Sequence, residues 1–305
     1  MFYLKLFIAS LLVYWLVVTN QLDFSAIGEG LFSFAELQMA AVLLLGFAMQ
    51  ALRWSQILTL HNIIIPFKDV VRIFLIGQFF FMTSLGMAGG EVARGYYIRS
   101  YAGDKSVAAI STVLLDRLLG LYTFTFLGSM AFVTIWLQSE PPTGVVHMGM
   151  VAIVLCIVLS MFFLLLYQPK LRKIISARLG ESWQKKMAGV FSYSDHHMEQ
   201  LPRLFLVSTL SNIVMITAFK LACEILNAQI GWQGVFLITP LVILANSLPI
   251  SFGGIGVGEA TAQALLLQIG IDNGAVIMLL VRVTQWLTIL PLGAYFYMVE
   301  SKKSP

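Results

Sequence analysis

The chain has 305 residues, of which 59% are hydrophobic and only 11% are charged, and its mean hydropathy is +0.86. A soluble domain carries about a quarter charged residues, so this composition excludes a soluble enzyme, a nucleic-acid-binding domain and a disordered chain. The apolar runs are too long for the strands of a transmembrane β-barrel. We therefore predict an all-α polytopic membrane protein.

The net charge of +4 fits such a protein, because basic residues collect in cytoplasmic loops and set the orientation of the spans. Cys156 and Cys223 lie inside apolar runs and predict neither a disulfide nor a metal cluster. The N-terminal segment has the charge and the apolar run of a signal peptide, but no small-x-small cleavage site precedes Thr19. We interpret it as an uncleaved first span.

Six stretches are long enough to cross a bilayer core, which takes about 20 residues each. Two further apolar segments, near 73–90 and 234–270, are interrupted by Gly, Pro and Ser. The six predicted full spans lie near 3–20, 38–59, 106–137, 146–167, 204–226 and 275–299.

Basic residues decide the orientation of these segments. The loop at 20–37 holds only acidic charges and is predicted outside, whereas the basic linker 168–203 is predicted to be cytoplasmic and amphipathic. Segment 73–90 has basic flanks on both sides and is predicted to be a re-entrant hairpin from the cytoplasmic face; segment 234–270 becomes one from the opposite face. We expect a multi-pass protein of the cell (inner) membrane with cytoplasmic N- and C-termini.

These assignments divide a single membrane domain, 1–305, into pseudo-repeat halves 1–138 and 146–300. Each half has the layout span, span, re-entrant hairpin, span, and the second half is inverted. Inverted repeats with broken helices are typical of transporters that bind substrate near the midplane. Three motif pairs in the same order support the repeat: Ala51-Leu52-Arg53 with Ala218-Phe219-Lys220, Gly89-Gly90-Glu91 with Gly258-Glu259, and Leu114-Leu115-Asp116-Arg117 with Leu279-Leu280-Val281-Arg282.

Charged residues inside spans are costly and indicate function. We interpret Arg53, Arg117 and Arg282 as cavity-lining residues that bind an anionic group, above all phosphate, because a guanidinium binds phosphate oxygens bidentately. The structural alternative is that Asp116 and Glu259 only neutralise buried arginines and that Arg53 reaches the headgroups.

Three smaller expectations complete the interpretation of the residues. Lys220 and Glu224, four residues apart on one span, are expected to form an ion pair. The glycines of the interrupted segments either allow sharp turns or bring backbone amides to an anion. No metal and no cofactor are predicted. The predicted hairpin-tip residues are Ser84, Gly86, Gly89, Gly90, Ser247, Pro249, Gly253, Gly254, Gly256 and Gly258.

The stretch TSLGMAGGEVARGYYIRSYAGDKSVAAISTVLLDRLLGL and the later stretch SLPISFGGIGVGEA resemble the flippase-like membrane domain of lysylphosphatidylglycerol synthases and their stand-alone relatives. The resemblance runs from about Arg53 to Arg282 and implies translocation of a lipid with a polar headgroup, through two hairpin-lined cavities. A full-length synthase continues into a soluble aminoacyl-transferase domain, whereas this chain stops at Pro305, so lipid lysylation is not expected. The polar motif residues that the resemblance implies are Arg53, Glu91, Arg94, Asp116, Arg117 and Glu259.

We therefore expect a flippase- or scramblase-type transporter that moves an anionic or glycosylated, phosphate-bearing lipid between leaflets. The alternatives are an intramembrane enzyme or a non-transporting accessory protein in polyprenyl-phosphate or glycolipid metabolism. The expected partner is a membrane lipid with an anionic headgroup, with a lipid-modifying enzyme as a second candidate and no nucleic acid. Glycine-rich faces permit a homodimer but do not require one.

Overall fold

The computed structural model describes Tyr14, Val18 and residues 33–83, 87–167, 200–248 and 251–301. These residues are almost entirely helical and contain no strand, which confirms the all-α polytopic class. Short 3-10 turns, Gly103–Lys105 and Phe252–Gly254, link two of the helix pairs. The helices are α1 (Phe34–Leu60), α2 (Phe67–Thr83), α3 (Met87–Ala102), α4 (Ser106–Gln138), α5 (Thr143–Tyr167), α6 (Leu201–Ile225), α7 (Trp232–Ser247), α8 (Val257–Leu267) and α9 (Gly274–Ser301).

Five helical segments in the described part of the chain are long and apolar enough to cross a bilayer. Helices α1, α4, α5, α6 and α9 match the five predicted spans that start at 38 and beyond, with ends that agree to within four residues. The predicted first span near 3–20 and most of the linker 168–203 fall outside the described residues.

The first interrupted segment is a helical hairpin made of α2 and α3. The two helices lie antiparallel and close together, because a Cβ atom on Gly90 would lie 2.7 Å from the carbonyl oxygen of Gly77. A Cβ atom on Gly77 would in turn lie 2.5 Å from Cγ of Arg94. Glycine is therefore required at position 90 by backbone contact and at position 77 by the Arg94 side chain that packs on it. Of the predicted tip residues, Ser84 and Gly86 lie outside the described residues.

The second interrupted segment is a hairpin made of α7 and α8, and its tip folds back onto the end of α7. A Cβ atom on Gly254 would lie 2.6 Å from the carbonyl oxygen of Asn246. Gly253, Gly254 and Gly256 have φ angles of 59°, 76° and 82°, which L side chains rarely adopt. Pro249, also predicted at this tip, lies outside the described residues.

The tip of the second hairpin touches the C-terminal end of α2 in the first hairpin. A Cβ atom on Gly253 would lie 3.2 Å from the carbonyl oxygen of Met82, at the C-terminal end of α2. The 3-10 turn of the second hairpin therefore packs directly against the first hairpin, so the two broken segments meet inside the molecule.

The packing between the halves pairs equivalent elements twice. The first helix of each hairpin packs against the last long helix of the other half, α2 against α9 and α7 against α4. Gly293 of α9 faces the backbone of α2, and Gly128 of α4 faces Pro240 of α7. Gly128 and Gly293 each lie eleven residues after an arginine of the repeat motif, Arg117 and Arg282. The two interfaces are thus repeat-related.

The buried apolar core has two main clusters among the described residues. The larger cluster joins α4, α6, α7 and α9 around the almost fully buried Ile216, Ile238 and Ile277. The other joins α1 with the first hairpin around Trp54 and Phe74. Both clusters span the two halves, so neither half has a core of its own.

Close packing of α5 on α4 makes a testable prediction at Gly149. A Cβ atom there would overlap the ring of Phe132 on α4, and Phe132 is buried. We expect Gly149→Ala to destabilise the protein by about 1–3 kcal/mol through overpacking, measured as a lower thermal unfolding midpoint in detergent. The control is Gly128→Ala, whose Cβ would meet no atom closer than 3.5 Å. Equal midpoints would contradict this packing.

Candidate functional site

Asp116 holds two buried arginines on two other helices. Its Oδ1 accepts a hydrogen bond from Nε of Arg53 on α1 at 2.7 Å, and its Oδ2 accepts one from Nη2 of Arg94 on α3 at 3.0 Å. All three residues are buried. Since an unpaired charge in the interior costs several kcal/mol, this triad fixes α1, α3 and α4 relative to one another.

Arg94 is also held by aromatic rings. Its guanidinium carbon lies 4.1 Å from the ring centroid of Trp54 and 4.9 Å from that of Phe74, both within cation–π range. Trp54 is itself fixed, because its indole N–H donates to the hydroxyl of Thr112 at 3.1 Å. The Arg94 side chain is thus confined on two sides by rings and on a third by Asp116.

A polar network surrounds Arg53 and was not identified from the sequence. Nη1 of Arg53 donates to the hydroxyl of Ser208 at 2.9 Å, and that hydroxyl lies 2.7 Å from the hydroxyl of Thr123. The amide of Asn212 donates to Thr123 at 2.7 Å and to the carbonyl oxygen of Gly120 at 2.9 Å. Ser208 and Asn212 are four residues apart in an apolar span, and this spacing on one helix face could have indicated them.

Glu91 and Arg117 form an ion pair between α3 and α4. Oε1 of Glu91 lies 3.2 Å from Nε of Arg117, and the side chains are 30% and 23% exposed. Neither of these two atoms makes a hydrogen bond among the described residues. The pair is therefore close but poorly aligned, and its side chains are partly exposed although the two contacting atoms are buried.

Glu259 and Arg282 form the corresponding pair in the second half. Nε and Nη2 of Arg282 donate to the two carboxylate oxygens of Glu259, and both side chains are less than 5% exposed. The guanidinium also donates to the carbonyl oxygens of Gly253 (2.9 Å) and Gly254 (3.1 Å) and to Oδ1 of Asn246 (2.9 Å). Arg282 thereby ties the second hairpin tip to α9.

The tip glycines act differently from an anion-binding loop. Gly253 and Gly254 present carbonyl oxygens to Arg282, and the backbone N–H of Gly256 donates to the carboxylate of Glu259 at 2.8 Å. The anion next to this tip is thus a side chain of the protein itself. Of the two alternatives open for the second tip, the sharp turn accounts for these contacts.

The two Glu–Arg pairs occupy equivalent places in the repeat. In each half the glutamate lies near the start of the hairpin's second helix, and the arginine lies on the long helix that follows. Their surroundings differ, because Arg282 is enclosed with all its nitrogens bonded while Arg117 is partly exposed. The predicted Lys220–Glu224 pair is present at 2.9 Å, apart from both.

A cavity of about 190 Å³ lies between the two halves of the chain. Four of the seven predicted substrate-binding residues line it, as does the predicted tip residue Ser247, whereas Glu91, Glu259 and Arg282 do not. On α1 the lining runs from Leu43 to Arg53, which is about 15 Å at 1.5 Å per residue. The wall contains the predicted residues Arg53, Arg94, Asp116 and Arg117, the polar Gln50, Gln78, Asn212, Asn246 and Gln285, and the apolar Leu43, Phe47, Phe124, Phe219 and Met278.

The polarity of this cavity changes along its length. On α1, α4 and α6 the lining residues are polar or charged at the end near Arg53 and apolar at the end near Leu43. At the charged end, three arginines form ion pairs with two carboxylates, those of Asp116 and Glu91. The described residues therefore leave one positive charge in excess, which favours an anionic ligand there.

Comparison with known proteins gives the family. The family model described as the lysylphosphatidylglycerol synthase TM region matches residues 2–293. A UPF0104 membrane protein of Pyrococcus horikoshii is 26% identical over 247 residues, with 73% of each chain covered. No solved structure matches the chain. Because the family match spans nearly all of its length and confirms the resemblance seen in the motifs, the chain belongs to the family of lysylphosphatidylglycerol synthase transmembrane regions.

Proposed function

We propose that this protein is a flippase- or scramblase-type transporter that moves an anionic or glycosylated, phosphate-bearing lipid between leaflets. The observation that carries the proposal is the polarity of the central cavity, which has three arginines at one end and an apolar wall about 15 Å away. A lipid has the same distribution, with charge at the headgroup and apolar tails. Both halves of the repeat contribute to the wall.

Arg94 and Arg117 are the residues that we expect to contact the phosphate. Both line the cavity, and Nε of each is buried without a hydrogen-bond partner among the described residues. A buried donor without an acceptor is unfavourable, so a phosphate oxygen in the cavity would stabilise both. Arg53 contributes mainly charge, because its Nε and Nη1 already donate to Asp116 and Ser208.

The two hairpins supply the moving parts in this proposal. With the orientation predicted from the basic residues, they are re-entrant from opposite faces of the membrane. The repeat-related ion pairs then differ in state: the Glu259–Arg282 pair is closed on its tip, and the Glu91–Arg117 pair is partly open. If the two halves exchanged these states, the cavity would close to one leaflet and open to the other.

Arg117→Gln tests the proposal. We expect purified protein in phosphatidylcholine vesicles to move NBD-labelled phosphatidylglycerol between leaflets, as measured by dithionite quenching. Arg117→Gln should slow this movement at least tenfold, because a charge-assisted hydrogen bond contributes about 1.5–3 kcal/mol. The matched control is Lys220→Gln, which removes a cation that pairs with Glu224 and does not line the cavity; it should move lipid at the wild-type rate.

Two other outcomes would change the interpretation. If the wild-type protein moved no labelled lipid, with or without an ion gradient, the transport function would be wrong. Mass spectrometry of lipids that copurify with the protein then separates the alternatives. Retention of an anionic lipid by the wild-type protein but not by Arg117→Gln would favour a non-transporting accessory protein that binds lipid.

A further inference from the structure

A second recess lies on the outer side of the first hairpin, between α3 and α4. It has a volume of about 370 Å³. Its apolar wall residues are largely exposed on the protein surface, and exposed apolar side chains of a membrane protein face lipid tails, which are equally apolar. The groove therefore opens sideways into the bilayer. It is lined by Glu91, Val92, Gly95, Tyr96 and Arg99 of α3 and by Ile110, Val113 and Leu114 of α4.

The inner end of this groove is the Glu91–Arg117 ion pair. Glu91 lines the groove, Arg117 lines the central cavity, and the two side chains are 3.2 Å apart. The pair is thus the partition between the two spaces. It is poorly aligned, since neither Nε of Arg117 nor Oε1 of Glu91 makes a hydrogen bond among the described residues.

The outer end of the groove is marked by Arg99. Glu91, Gly95 and Arg99 follow one another at four-residue spacing on one face of α3, so Arg99 lies about 12 Å from Glu91 along the helix axis. Arg99 is exposed and forms no ion pair with the described residues. Between these ends the groove has free space above Gly95, because a Cβ atom there would meet only Ile110, at 3.6 Å.

We propose that this groove is the lateral portal through which an anionic lipid passes between the bilayer and the central cavity. Arg99 is its outer phosphate contact and the Glu91–Arg117 pair is its gate. A phosphate that leaves Arg99 moves about 12 Å along α3 to the level of Glu91, and there it replaces the Glu91 carboxylate as the partner of the Arg117 guanidinium. The tails stay against the apolar walls. This inference rests on the proposed transport function.

The vesicle assay with NBD-labelled phosphatidylglycerol tests the portal directly. Gly95→Leu places a side chain in the groove and should lower the initial rate at least tenfold, whereas Gly95→Ala should keep the wild-type rate because a Cβ atom fits. Arg99→Gln should lower the rate several-fold. Its matched control is Arg203→Gln, which removes another exposed arginine from a helix that does not line the groove.

The outcomes separate this inference from the proposed function. If the wild-type protein moves lipid and both Gly95→Leu and Arg99→Gln move it equally fast, the portal is wrong and the transport function stands. If the wild-type protein moves none, both are wrong. Should Gly95→Leu fail to fold, Arg99→Gln still decides, because its side chain is exposed and makes no ion pair with the described residues.

A binding measurement tests the same groove without transport. Photoactivatable phosphatidylglycerol in vesicles should label peptides from residues 87–117 more strongly than photoactivatable phosphatidylcholine does. Arg99→Gln should remove most of this preference, and Arg203→Gln should leave it. Equal labelling by the two lipids, or an unchanged preference in Arg99→Gln, would overturn the assignment of Arg99 as the outer phosphate contact.

Discussion

Replacing Asp116 by asparagine is expected to destabilise the protein by about 3–5 kcal/mol. The carboxylate is the shared ion-pair partner of Arg53 and Arg94, and all three residues are buried. Without it, two guanidiniums would remain in the interior with no carboxylate in contact among the described residues. The measurement is the thermal unfolding midpoint in detergent, together with the yield of monodisperse protein, and both should fall sharply.

Two controls show whether the loss comes from charge imbalance at this site. Arg94→Gln leaves Arg53 and Asp116 as a neutral pair, so it should cost clearly less than Asp116→Asn. Glu224→Gln breaks the pair with Lys220 at a position where the glutamate is half exposed; such pairs contribute about 0–1 kcal/mol. If Asp116→Asn unfolded at the same temperature as Glu224→Gln, the triad would not stabilise the fold.

Gly254→Ala is expected to produce the second largest effect. Gly254 has φ of 76°, and an added Cβ atom would overlap the side chain of Asn246 and lie 2.6 Å from its carbonyl oxygen. Gly254 and Asn246 both accept hydrogen bonds from Arg282, as does Gly253, and these bonds hold the second hairpin tip. The tip would have to move away from Arg282, which would leave donors of that buried guanidinium unbonded.

Gly270 provides the matched control for this prediction. Its φ is 81°, close to that of Gly254, but an added Cβ atom would meet nothing within 4 Å. Both alanine variants therefore carry the same backbone cost of about 1–2 kcal/mol, and only Gly254→Ala adds about 1–3 kcal/mol for overpacking. The difference between the two thermal midpoints measures the packing of the tip. Equal midpoints would show that the tip is not tightly packed against α7.

Much of the fold could be predicted because apolar length and interruption by glycine are local properties. The spans of α1, α4, α5, α6 and α9 follow from runs that a bilayer requires. The repeat added long-range information: matching Gly89-Gly90-Glu91 to Gly258-Glu259 placed Glu91 and Glu259 in equivalent positions. The structure then pairs each of them with the equivalent arginine.

The partners of Asp116 could not be predicted in this way. From the sequence, neutralisation of a buried arginine by Asp116 is only the structural alternative, and no pattern pairs Asp116 with both Arg53 and Arg94. Which side chains meet depends on the rotation of α1 and α3 about their axes, and neither helix separates polar from apolar residues onto distinct faces that would indicate this rotation. The same holds for Arg282, expected in the cavity but enclosed by the second tip.

No pattern in the sequence predicts the groove beside Gly95 and Arg99. Apart from Glu91 and Arg99, its lining consists of small or apolar residues of two neighbouring helices, and such residues are found equally on any lipid-facing surface. Only the crossing of α3 and α4, with Gly95 against Ile110, creates the recess. A cavity depends on how helices pack, and that packing cannot be read directly from the sequence of one chain.

The contact between Gly253 and the C-terminal end of α2 also bears on leakage of ions. Two broken helices that met the midplane separately would leave exposed carbonyl groups and room for a file of water, along which protons and sodium ions travel. Here the tip of one hairpin covers the end of the other, 3.2 Å from a Cβ position on Gly253 to the oxygen of Met82. If the hairpins move during lipid transport as we propose, they must keep or re-form this contact, because its loss would let ions leak through the protein and dissipate the electrochemical gradients of the cell.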